Sequence, residues 1–132
     1  MNKYVWFVLL GFITITVFFI SLSFKNKDLA VQVKLPKQFS RTAIEGGKLF
    51  NKNCMVCHGK YGSGTEKGPP LIHKYYEPNH HSDRSFFLAV KNGVRPHHWQ
   101  FGMMPPIKGV TRSDVEKIIP YIREIQRENG IF

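Results

Sequence analysis

Five consecutive residues, Cys54, Met55, Val56, Cys57 and His58, read C-x-x-C-H, and they constrain the rest of the chain more than any other feature. Two thiols three positions apart can each form a thioether to a vinyl group on one porphyrin edge. The next residue, His58, can then bring its imidazole under the iron as the proximal ligand. This spacing is the attachment signature of a c-type heme. The chain has two cysteines in all, both in this motif, so no thiol remains for a structural disulfide. Two other readings fit less well. A thioredoxin-like redox pair needs a surrounding βαβ pattern, and none is visible. A zinc site needs a second ligand pair at finger-like spacing, whereas the remaining histidines fall irregularly at 73, 80, 81, 97 and 98. The motif therefore predicts one covalent heme c held by Cys54, Cys57 and His58.

Residues Tyr4 to Phe24 are 21 consecutive positions without a charge. That exceeds the roughly 20 residues that carry a helix across a bilayer. Lys3 precedes the run, Lys25 and Lys27 follow it, and Tyr4 and Trp6 suit an interface. A secretory signal has a shorter apolar core and a small-residue cleavage site, and Ser21-Leu22-Ser23 is a poor one. Residues 1–24 are expected to be an uncleaved transmembrane anchor, the alternative being a cleaved signal and a soluble periplasmic protein. Because bacterial c-type attachment happens outside the cytoplasmic membrane, the expected topology is single-pass with the heme domain on the periplasmic side. Residues 25–39 contain a proline and no clear period, and read as a linker or extended lead-in rather than core. The soluble domain is then 40–132, small enough that its own apolar core is marginal and that a covalent porphyrin would supply missing buried surface.

The whole chain carries a formal charge of +10, and residues 40–132 hold 14 Lys+Arg against 8 Asp+Glu. Nucleic acid is the usual partner of a basic protein, but an exported heme domain does not meet it. A positive surface instead favours docking to acidic redox partners, an oxidase or a reductase, with salt-sensitive association.

Strand-like alternation is scarce, and the pattern is all-α. Three helices can be placed. The first runs from about Thr42 to Lys52, with Thr42 and Glu45 at capping-box spacing. The second runs from about Asp83 to Asn92, after Ser82 as N-cap and before Gly93, where a helix end favours positive φ. The third runs from about Asp114 to Glu128, with Ser113 and Glu116 at capping-box spacing. Val115, Ile118, Ile119, Ile122 and Ile125 give that helix one apolar face. Pro120 interrupts it at a cost of roughly 3 kcal/mol for an interior site. Since the period continues through it, one kinked helix is expected there. Loops rich in glycine and proline, Gly59 to Pro70 and Gly102 to Gly109, suit close approach of backbone to a planar cofactor.

Heme iron in electron-transfer proteins usually takes Met or His as its sixth ligand. Met1 is the initiator, and Met55 lies within the C-x-x-C loop on the proximal side. Met103 and Met104 remain, in the sequence FGMMPPIKG. Pro105 fixes the backbone directly after Met104, which is the expected ligand. Arg95 is a further heme-propionate candidate on charge alone.

Over residues 42–130 the chain resembles the small monoheme cytochrome c family. Gly46, Phe50 and Cys54 fall at the four-residue spacings of that family's first helix, and Gly68-Pro69-Pro70-Leu71 looks like its G-P-x-L segment. Met104-Pro105 matches its M-P ligand strap, and Tyr121 the aromatic of its last helix. Pro120 departs from the pattern. The resemblance implies a cytochrome c fold of three main helices and glycine/proline-rich loops around one covalent heme. It also implies that Gly46 permits close crossing of the last helix. By the same resemblance the Pro69 carbonyl accepts the Nδ1 proton of His58, and Trp99 lies near the heme edge.

His80-His81 and His97-His98 stand apart from these motifs. They are open to four readings: a second metal such as copper, a rival sixth ligand, a polar network around heme propionates, or packing of ordered loops. Two classes of function follow. The first is an electron carrier cycling between Fe(III) and Fe(II), with no small-molecule substrate, serving membrane redox complexes either freely or as a fixed heme subunit of a larger oxidase or reductase. The second is a heme enzyme or sensor with a displaceable sixth ligand. One heme in so short a chain with a Met-Pro strap favours the carrier.

Overall fold

The apolar stripe of the last segment closes into one long helix on which the domain is assembled. In the computed structural model of this chain, which describes Thr16 and residues 30–132, four α-helices follow one another. They are α1 (Arg41–Asn53), α2 (Met55–His58), α3 (Asp83–Asn92) and α4 (Arg112–Glu128), with 3-10 turns at Lys60–Gly62 and Lys74–Tyr76. Among the described residues there are only isolated bridges, Thr65 with Gly68 and Val94 with Met104, and no extended strand. The expected anchor over residues 1–24 lies outside the described residues, Thr16 apart. No helix among the described residues is long and apolar enough to cross a membrane.

Helix α1 crosses α4, and the core lies between them. Ala43, Phe50, Ile118, Tyr121, Ile122 and Ile125 form it, all nearly or wholly shielded from solvent. Each aliphatic side chain so buried is worth roughly 1.5–3 kcal/mol of transfer free energy. The crossing is close because Gly46 has no side chain: a Cβ there would overlap the Lys117 carbonyl oxygen. The Tyr121 ring fills the next space, 5.6 Å from Phe50 and 5.5 Å from Phe39 between centroids. At the edge of the crossing Lys117 and Glu45 form an ion pair at 2.9 Å.

Helix α4 runs unbroken through Pro120. The proline leaves the Glu116 carbonyl without its intrahelical donor, but the buried stripe on either side holds the helix as one element.

Two predicted caps are displaced. Helix α1 begins at Arg41, and its cap is Ser40, whose hydroxyl accepts from Ala43 N–H at 3.2 Å. Packing of Phe39 on Tyr121 keeps the chain extended up to Ser40, so the turn starts before Thr42. In α4 the reciprocal box is Thr111 with Asp114, not Ser113 with Glu116. Glu116 pairs with Arg112 at 3.0 Å instead. Helix α3 has the expected bounds and Gly93 at φ +73°, yet Ser82 makes no side-chain cap. Its carbonyl accepts from the Ser85 hydroxyl at 2.7 Å.

Part of the stretch expected as a linker, residues 30–39, is laid against the domain. Val31 N–H donates to the Ser63 carbonyl at 2.8 Å, and Asn129 exchanges two side-chain bonds with the Lys34 backbone at 2.9 and 2.8 Å. Val31, Val33 and Phe39 pack against the core. Residues 30–39 are thus extended, as expected, but they add to the core instead of lying apart from it as a linker, because Val31, Val33 and Phe39 are apolar and reach it; residues 25–29 lie outside the described residues.

Candidate functional site

The end of α1 delivers the C-x-x-C-H motif. Cys54 caps α1 through its N–H to the Phe50 carbonyl at 2.8 Å, and one further helical turn, α2, carries Cys57 and His58. Thr65 Oγ1 donates to the Cys57 carbonyl at 2.6 Å, and Gly64 N–H to the His58 carbonyl at 2.7 Å, which anchors the turn to the glycine loop behind it.

His58 is buried, and its Nδ1 lies 3.0 Å from the Pro69 carbonyl. A carbonyl can only accept, so Nδ1 carries the proton and Nε2 keeps its lone pair. Burial lowers the pKa of His58, opposed by the Pro69 carbonyl, and the ring is held as the neutral tautomer a metal requires.

His58 and Cys54 form part of the wall of an apolar cleft of about 390 Å³. The remainder comes from Phe50, Pro69 and Leu71, from Phe86 and Val90 on α3, and from Val94 and Met104. Burial, reinforced by neighbouring Cys57, pushes the Cys54 thiol up to about 11. A neutral thioether suits that environment better than a thiolate does.

Met104 is half-buried and lines the cleft, whereas Met103 is 66% exposed. Two hydrogen bonds fix Met104 to Val94, N–H to carbonyl in each direction at 2.9 and 3.0 Å. Gly93 makes that approach possible, since a Cβ there would overlap the Met104 carbonyl oxygen.

Trp99 also lines the cleft, and its buried Nε1–H has no hydrogen-bond partner. Tyr76 is near: burial raises its phenol pKa and the Trp99 N–H opposes this, but no hydrogen bond closes between them. An unpartnered buried donor is costly, and a ligand carrying an acceptor would satisfy it. Arg95 is exposed and is not part of the cleft wall; its carbonyl accepts from His97 Nδ1 at 2.9 Å.

Sequence reasoning missed what holds this wall in place. Arg123 and Gln126 are buried on α4. The Arg123 guanidinium donates to Asp83 (2.9 Å), the Tyr76 carbonyl (2.9 Å), Gln126 Oε1 (2.7 Å) and the His81 carbonyl (2.5 Å). Gln126 Nε2 donates to the carbonyls of Leu71 and Tyr76 at 2.9 and 3.1 Å. The pair ties the 71–81 segment and the start of α3 to the core helix. The signal was present: residues 119, 122, 123 and 126 follow the i, i+3, i+4, i+7 pattern of a buried stripe.

All four paired histidines gather at the rim. His81, His97 and His98 line the cleft, while His80 stands outside it. Burial lowers the pKa of His81, against the Tyr75 carbonyl, with His80, His97 and Arg123 acting in the same direction as burial.

The residues present fit a covalent heme. Two thiols stand at the attachment spacing, a neutral imidazole has Nε2 free, a thioether side chain shares the cleft, and a buried donor lacks an acceptor. Residues 43–126 match the model of the family described as Cytochrome c. No curated protein and no solved structure matches the chain. The chain belongs to the cytochrome c family, whose members are heme-based electron carriers, and it binds heme c covalently through Cys54 and Cys57.

Proposed function

We propose that this cytochrome c domain passes single electrons between redox complexes at the outer face of a bacterial cytoplasmic membrane, with His58 and Met104 as axial ligands. The reading rests chiefly on one observation: His58, its Nδ1 engaged by Pro69, and Met104, fixed by Val94, line the same apolar cleft. When bound, the heme supplies a one-electron iron couple.

The chain's own residues do the rest. The Pro69 carbonyl holds the His58 proton at Nδ1 and so keeps Nε2 available. Met104 offers a soft thioether sulfur, a choice of ligand that raises a heme potential. The apolar wall excludes water and favours a site that changes little between oxidation states. Trp99 offers its unpartnered N–H to a propionate. The uncharged run 4–24 would keep the domain beside its partners as a single-pass anchor, and the basic surface would dock acidic ones.

Absorption spectra of the oxidised and reduced protein test the ligand set. The expected ferric spectrum is low-spin with a Met–iron charge-transfer band, abolished by Met104→Ala and retained by Met103→Ala. A high-spin ferric spectrum would overturn the carrier reading, and the reverse mutant pattern would overturn the assignment of Met104.

A further inference from the structure

Two histidine pairs, seventeen residues apart in sequence, meet at the rim of the cleft. His80 and His81 come from the turn after Tyr76, where the N–H groups of both residues bond the Glu77 carbonyl at 3.1 and 2.7 Å. His97 and His98 come from the loop whose base is the Val94–Met104 bridge. Across the gap, His80 Nε2 lies 3.0 Å from His98 Nε2, and His81 Nε2 lies 3.4 Å from His97 Nε2. One ring nitrogen each from His80, His81 and His98 falls within 4.8 Å of the others.

The protonation pattern makes this more than crowding. His81 Nδ1 bonds the Tyr75 carbonyl, and His97 Nδ1 bonds the Arg95 carbonyl. Carbonyls only accept, so both rings carry their proton on Nδ1. In the neutral rings, therefore, neither Nε2 has a hydrogen, and two lone pairs face each other across 3.4 Å. Such an arrangement is unfavourable unless an electron-pair acceptor sits between them. A carbonyl on the far nitrogen is also the usual support of a metal-bound imidazole.

The spacing fits a metal. A tetrahedral ion with nitrogen ligands at about 2.0–2.1 Å places those nitrogens roughly 3.3 Å apart. Both cross-pairs already stand near that separation. All-imidazole ligation selects zinc or copper over calcium, magnesium or iron–sulfur chemistry. The exposed His80 leaves a route in from solvent.

We infer that His80, His81 and His98 form a binding site for one divalent transition-metal ion of the zinc or copper class, separate from the heme iron, with His97 outside that three-nitrogen cluster but 3.4 Å from His81, where it can turn in as a fourth ligand. The scaffold is firm on one side, since Arg123 bonds the His81 carbonyl from the core helix. The ion would join the 77–81 turn to the loop that leads into Met104.

The test uses the full-length holoprotein, stripped of adventitious metal by chelator and dialysed against zinc sulfate or copper sulfate. Elemental analysis is expected to find one zinc or copper per heme iron. Zinc-edge X-ray absorption should show three or four imidazole nitrogens at about 2.0–2.1 Å. His80→Gln, outside the cleft wall, should weaken binding at least about tenfold while leaving the heme spectrum unchanged. Failure to bind either metal stoichiometrically would overturn the inference, as would a zinc shell without imidazole. A His80→Gln protein that binds as tightly as wild type would place the metal elsewhere and overturn it equally. None of these outcomes bears on the heme ligands, so the electron-carrier reading stands or falls separately.

Discussion

Gly46 on α1 lies so close to the Lys117 carbonyl on α4 that not even a methyl group fits between them. The contact is backbone against backbone, and neither side can rotate away. Gly46→Ala would gain about 1 kcal/mol of helix propensity. The overlap outweighs it, with an expected net loss of at least about 2 kcal/mol. Gly47→Ala is the internal comparison, because its Cβ would meet the edge of the Tyr121 ring at 3.0 Å. Urea titrations of the holoproteins should rank Gly46→Ala below Gly47→Ala, and equal midpoints would contradict the steric account.

Arg123 is 7% exposed and Asp83 61%, so the ion pair itself contributes little. The larger effect is the set of buried acceptors that Arg123 satisfies. Arg123→Leu is expected to cost about 3 kcal/mol, and Asp83→Asn under about 1 kcal/mol. Arg123→Lys should recover less than half of the loss, since an ammonium cannot match the planar fork. Denaturation midpoints decide this, and a severe Asp83→Asn effect would shift the weight to the ion pair.

The Thr111–Asp114 box gives a pH dependence. Hydrogen bonds from the Thr111 N–H and hydroxyl hold the Asp114 carboxyl below its ordinary value of 3.8. Its folded pKa is depressed, so its contribution is present above the unfolded pKa and lost as pH falls through the folded one. Wild type should be more stable than Asp114→Asn at pH 6, and the gap should close as the pH drops below about 4. Thr111→Ala should cost about 1 kcal/mol near neutrality. A gap that is constant from pH 6 to pH 2 would remove the carboxylate from the explanation.

Gly93 combines φ +73° with a contact on the Met104 carbonyl. Gly93→Ala must strain its own backbone, by about 1–3 kcal/mol, or push the strap away. The expected result is a weakened Met–iron band at a pH where the helices remain folded by circular dichroism. An intact band would show that the strap tolerates the shift.

What could be read from the chain divides by range. The heme motif, the three main helices and Gly46 depend on spacing along one segment or on a family pattern, and were legible. The caps were less so, because Thr111, Ser113, Asp114 and Glu116 offer overlapping boxes. Asp114 prevails through its reach to the Thr111 backbone. Arg123 was hidden by its charge, as its burial depends on carbonyls supplied 42 and 47 residues away. The meeting of His80-His81 with His97-His98 depends on two loops with no period to read.

The bridge between Val94 and Met104 closes residues 95–103 into a loop held at its neck by two hydrogen bonds, with Ile107 bonded to Val90 just beyond. Little of the α1–α4 core is invested in it. In hydrogen-exchange terms this makes the loop a separate opening unit, with a free energy well below that of global unfolding. The amides of Val94 and Met104 should therefore exchange early and together, so that this loop can open and close while the turn that carries His58 stays folded.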